Sequence, residues 1–206
     1  MIRSIFLCML LVAPDMLCAQ LVKPITHIHF PEFSVALLDY EVEPAEQNKL
    51  IQNTKPALHL ASIPGELPEG RKIVIKSNKA IIYKLEARYE TAIFITDNGV
   101  TCDLSTWKTY LSPSKAIRKT KNSIYIFPSY TDAEKQKFLE INLTEVKEEV
   151  RTNCGNAFYE LIKNNTALNQ GASEVAIFRY SLKISGRVLK TGKSFFKLIY
   201  FDIPVD

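Results

Sequence analysis

Hydrophobic and polar residues alternate most regularly near the middle of the chain. Over residues 80–90, Tyr83, Leu85, Ala87 and Tyr89 interleave with Lys84, Glu86, Arg88 and Glu90. That period-two pattern predicts a strand with one buried and one solvated face. A short strand at 72–76 precedes it, Ser77-Asn78-Lys79 forms the turn between them, and a further strand at 91–96 follows. Asp97-Asn98-Gly99 should then reverse the chain, because a tight hairpin turn requires positive φ and Asn-Gly supplies it. The return strand at 100–104 carries Cys102, and 106–111 continues the sheet until Ser112-Pro113 stops it. Another strand is expected at 123–130. The chain closes with a hairpin whose first strand places Ala176, Phe178, Tyr180, Leu182 and Ile184 on one face. Thr191-Gly192 turns it, and the last strand, 193–203, puts Phe196, Leu198 and Tyr200 on its packed side and Phe195 and Phe201 on the less buried one.

The period changes at residues 131–163. Leu139, Leu143, Val146, Val150, Cys154, Ala157 and Leu161 recur at intervals near those of one helical face. Thr131-Asp132-Ala133-Glu134 has capping-box spacing, in which the first side chain and the glutamate satisfy each other's backbone N–H groups. One unbroken helix would measure about 50 Å, whereas a domain of this size is about 40 Å across. Asn142-Leu143-Thr144 offers a second N-cap, so a break is expected near Ile141 and a principal helix over 143–163.

Toward the N-terminus, 20–42 reads as an extended arm interrupted by Pro24 and Pro31, with strands around His27-Ile28-His29 and from Val35 onward. Pro44 opens a short helix over 44–52, and the Pro- and Gly-punctuated stretch 55–70 is a loop. These elements predict an α+β fold: an antiparallel sheet, made of a meander and a C-terminal hairpin, packed against one main helical segment. The expected organisation is a signal peptide at 1–19, an N-terminal arm at 20–70 and the main α+β domain at 71–206.

Composition changes this picture in one respect, the compartment. Residues 1–19 contain Arg3, an apolar run too short to span a bilayer, and Leu17-Cys18-Ala19 as a cleavage site. Removing them removes Cys8 and Cys18 and leaves Cys102 and Cys154 as the remaining pair. In an exported protein such a pair predicts a disulfide, and closing so long a loop contributes about 4 kcal/mol. No later stretch predicts a membrane span, and the expected location is periplasmic or secreted. The net charge of +4 is too small for a nucleic-acid footprint. Only 7 glycines occur among the 206 residues, which argues against glycine-rich phosphate loops.

Candidate chemistry is sparse. His27 and His29 share a strand face and are the candidates for a metal pair, with Glu32 or His59 as a third ligand. Asp39/Glu41 and Glu86/Glu90 are the carboxylate pairs placed on common strand faces. Nucleophile-elbow, zinc-protease and Walker motifs are absent from the sequence, and no cofactor is implied. The basic cluster Lys115, Arg118, Lys119 and Lys121, together with Arg179, Lys183 and Arg187, suggests a surface for an anionic partner, either another protein or an envelope component. Asn142 and Asn164 head glycosylation sequons. The reading is a non-catalytic exported protein that binds another macromolecule, as an inhibitor, an immunity-type partner or an envelope-assembly component. The alternative is a carboxylate-dependent hydrolase acting on a cell-wall or glycan substrate.

Overall fold

A computed structural model describes residues 25–43, 55–120 and 124–204. The signal peptide expected at 1–19, the helix at 44–52 and Lys121 lie outside them. The strands are β1 (Ile25–His29), β2 (Ser34–Leu38), β3 (Ala57–Ala61), β4 (Lys72–Lys76), β5 (Ile81–Asp97), β6 (Val100–Asp103), β7 (Tyr110–Leu111), β8 (Lys115–Ile117), β9 (Tyr125–Ile126), β10 (Ser173–Val188) and β11 (Ser194–Asp202). The helices are α1 (Asp132–Lys135), α2 (Leu143–Asn153) and α3 (Asn156–Ile162). The expected α+β arrangement of one sheet on one main helix does not form. Among the described residues the fold is mostly β, 46% strand and 13% helix, in two sheets, one of them a curled half-barrel.

The reason lies in the segment that reads as an arm. β1 pairs with β2, β2 with β4, and β4 with β9, all antiparallel, which makes a second, four-stranded sheet. The turn after β4 therefore carries the chain from one sheet to the other. β3 adds to the larger sheet, parallel to β11, in the order β3-β11-β10-β5-β6. After Asn98 and Gly99, both at positive φ as a primed hairpin turn requires, the chain runs back along β5 in three interrupted pieces, β6, β7 and β8.

The β5–β10 pair runs from Ile81–Val188 to Ile95–Ser173. In β5 the odd positions face inward throughout. In β10 the phase changes, because Phe178 is an extra residue between the pairs Ile177–Thr91 and Arg179–Glu90. Such a bulge reverses which alternate residues face the core. Val175 and Ile177 point inward before it, and Tyr180, Leu182 and Ile184 after it. Ala176 and Phe178 therefore do not share a face with Tyr180, as unbroken alternation predicts.

Each half of the pair has its own cover. Leu85, Ala87, Tyr89, Tyr180, Leu182 and Ile184 pack with Ile28, Val35, Leu37 and Ile73 of the small sheet. Ile93, Ile95 and Val175 pack instead with Val146, Val150 and Ile162 of α2 and α3. The larger core contains a line of ring contacts, Tyr110–Tyr89–Tyr130–Tyr180–Phe127–Phe201–Tyr40, with centroids 4.6 to 6.2 Å apart. Three hydroxyls on this line have partners: Tyr40 pairs with Ser62 at 2.5 Å, Tyr89 donates to the Glu134 carbonyl, and Tyr180 donates to the Glu69 carboxylate; the buried Tyr130 hydroxyl has none among the described residues. Burial pushes Tyr40 and Tyr89 up to about 12, so both stay neutral donors.

The helical segment is shorter than its sequence suggests. Thr131 and Glu134 form the reciprocal capping box, and the Asn142 side chain accepts from Thr144 N–H at 2.9 Å. The break near Ile141 is present, but the principal helix also ends at Cys154, where Gly155 at φ +92° starts α3 afresh. The apolar stripe consequently continues through Phe158 and Ile162 and leaves Ala157 and Leu161 exposed. Cys154 is bonded to Cys102 of β6, Cα to Cα 5.7 Å, across 52 residues.

Replacing both cysteines by serine should lower stability by about 4 kcal/mol on the chain-entropy account, measured by urea denaturation; an unchanged midpoint would contradict the staple. A second constraint sits at Gly186, where a Cβ would lie 2.1 Å from the Ile82 carbonyl oxygen of β5 and 2.8 Å from the Phe195 ring. Gly186→Ala should therefore force backbone movement and cost about 1–3 kcal/mol, read in the same assay.

Candidate functional site

The outward face of the larger sheet follows from the strand registers. One row across the strands is Asp202–Arg179–Glu90–Leu111, the next His59–Tyr200–Ser181–Arg88, and the third Leu198–Lys183–Glu86–Ala116. Beyond these come Phe196–Ser185–Lys84 and then Ser194–Arg187–Ile82. Most of the middle rows line a depression of about 230 Å³. Its rim is apolar: Leu111 and Phe196 are 50% and 47% exposed, and Leu198 and Tyr200 stand beside them.

Within it almost every charge has a partner. Glu86 takes Lys183 at 3.1 Å and Lys84 at 3.4 Å, and the Lys183 hydrogen bond holds its carboxyl below the usual range despite partial burial. Asp202 receives Arg179 Nε at 2.5 Å and faces His59 Nδ1 at 2.9 Å. Arg179 also reaches Glu90 at 3.8 Å and lies over the rings of Phe178 and Tyr200 at 5.1 Å each. Burial nevertheless raises Glu90 above the usual carboxyl value, outweighing Arg179. The two glutamates thus shift in opposite directions, as acid and base partners do. Four residues of strand set them about 13 Å apart, however, beyond the roughly 5–9.5 Å that paired-carboxylate hydrolysis uses. Asp39, at φ 61°, sits in the turn after β2 and does not share a strand face with Glu41.

Arg88 differs from its neighbours. Among the described residues its guanidinium has no ion pair or hydrogen bond, and its Nε is buried without an acceptor. Ser114 Oγ, which lines the same depression, is also buried and unpartnered.

The basic residues singled out by the sequence divide between two sides of the sheet. Arg179, Lys183 and exposed Arg187 belong to the outward face. Lys115 pairs with Ala87 and points inward, where it meets Glu134 at 2.7 Å and lies 4.2 Å from the Tyr130 ring centroid. Arg118 and Lys119 are exposed just beyond it. His27 and His29 are exposed on β1 with their rings stacked, centroids 6.4 Å apart. Among the described residues no third His, Cys, Asp or Glu joins them in a metal-binding group; His59 is on the other sheet, held by Asp202.

Sequence alternation marks Arg88 as one more solvated charge, and it reverses the faces of β11. Phe195 and Phe201 are core, 8% and 0% exposed, whereas Phe196 and Tyr200 look outward. Lys197 misleads, because it shares the inward phase. It is accommodated by lying over the Phe30 ring at 5.2 Å and donating to the Lys55 carbonyl at 3.4 Å. No helix among the described residues is long and apolar enough to cross a membrane. The disulfide suits an extracellular protein. Comparison with protein-family models, with curated proteins and with solved structures finds no match for this chain.

The Lys115–Glu134 contact yields a pH prediction. The Lys115 ammonium, followed by the Thr131 backbone N–H, holds the Glu134 carboxyl at about 2, against an ordinary 4.5. The folded protein therefore takes up this proton later than the unfolded chain as pH falls. The contribution is complete above the ordinary value and fades as pH drops toward 2. The stability difference between wild type and Glu134→Gln should shrink over that interval in denaturation at stepped pH; a difference independent of pH would rule out the contact as its source.

Proposed function

We propose that this is an exported, non-catalytic protein, periplasmic or secreted after loss of residues 1–19, that binds another macromolecule through the outward face of its larger sheet. The observation that carries this reading is the composition of that face. Exposed Phe196, Leu111 and Ile82 stand among five cationic and three acidic side chains, Lys84, Arg88, Arg179, Lys183 and Arg187 against Glu86, Glu90 and Asp202. Exposed apolar side chains set beside fixed charges support a protein-binding patch. The excess of cations favours an acidic partner, and the protein would act on it as an inhibitor, an immunity-type protein or an envelope-assembly component. The hydrolase alternative needs two carboxylates near one bond, and the spacing of Glu86 and Glu90 does not support it.

Arg187→Glu with Phe196→Ser alters two exposed side chains and should leave the fold intact. Mature protein immobilised on resin should capture a partner from the source's envelope fraction, and this variant should lose it. A control on the other sheet, Lys76→Glu, should retain it. Capture that survives the double change, or that Lys76→Glu abolishes equally, would count against this face.

A further inference from the structure

Arg88 lines the depression, and its surroundings define what it is free to bind. Glu86 and Glu90 flank it two positions away in each direction, about 7 Å along the strand. Both are already engaged, Glu86 by Lys84 and Lys183 and Glu90 by Arg179. Next to Arg88 in its row is Ser181, and beyond that Tyr200, whose ring is stacked on His59 at 4.5 Å. Around it are Leu111, Phe196 and Leu198, with the unpartnered Ser114 hydroxyl. A buried guanidinium Nε and a buried hydroxyl, each lacking a partner, are costly to leave unsatisfied. A carboxylate suits the unpaired guanidinium, because it accepts a planar N–H pair from arginine.

Resting on the binding reading above, we propose that Arg88 is the anchor for an Asp or Glu side chain of an acidic protein segment lying across this face. The flanking apolar residues of that segment pack on Leu111, Phe196, Leu198 and Tyr200. An acidic peptide fits better than a polyanion. The depression offers one unpaired cation rather than a row of them, and its rim is apolar.

The probe is a blocked tripeptide, Leu-Glu-Phe, and its neutral counterpart, Leu-Gln-Phe, titrated into the mature protein while the Arg88 Nε–H resonance is followed by NMR. The glutamate peptide should shift that resonance saturably and the glutamine peptide should not. Arg88→Gln should weaken binding by about tenfold or more, and Arg88→Lys, which keeps the charge but not the planar fork, should weaken it less. Equal response to both peptides, or binding that survives Arg88→Gln, overturns the proposal. So does a response to a heparin-derived tetrasaccharide without one to the peptide. The wild-type titration decides the matter even if a variant misfolds. Absence of a shift while capture still depends on Arg187 and Phe196 removes the Arg88 anchor and leaves the binding face standing.

Discussion

The β5–β10 pair is longer than any layer available to cover it. Seventeen residues of strand extend about 55 Å, whereas the five-residue strands of the small sheet span about 17 Å. A sheet face with that many apolar residues cannot be left in water. One half is buried under the small sheet, and the other takes α2 and α3, held by the Cys102–Cys154 bond. The bulge at Phe178 lies where the two covers meet and lets β10 present apolar side chains to both. The helices are accordingly a cap on one end of the larger sheet, and their small size needs the covalent link.

Burying one face so fully leaves the other to carry the charges. Glu86, Glu90, Arg179, Lys183 and Asp202 are half-buried and cross-linked between strands, so they cost desolvation that their partners must offset. Their value lies more in fixing side-chain positions than in stability. An ordered array of charges with apolar groups at its edge is pre-organised for a partner, because little side-chain freedom remains to be lost on contact. Arg88 is a position where that pairing is incomplete.

Single elements of the fold were legible locally, though their assembly was not. The alternation along 81–90, the Asn98-Gly99 turn, the caps at Thr131 and Asn142, and the cysteine pair each act within a few residues or through one covalent constraint. The candidate site was legible only in fragments. Arg179, Lys183 and Arg187 carry their charge in the sequence, but nothing local indicates that Lys115 faces the opposite way or that Arg88 lacks the partners its neighbours have.

What the chain alone determined, then, is the alternation along 81–90, the turn at Asn98-Gly99, the helix caps at Thr131 and Asn142, and which two thiols are joined. Only the tertiary structure decided which sides meet. An extra residue at Phe178 reverses the phase of β10, and Lys197, seated over Phe30, allows Phe195 and Phe201 to be core. The pairing of β1 and β2 with β4 creates a second sheet where an arm was expected. The physical reason is that strand periodicity is two, so one residue of slip exchanges inside for outside. The energy that selects between the phases comes from contacts far away in the chain.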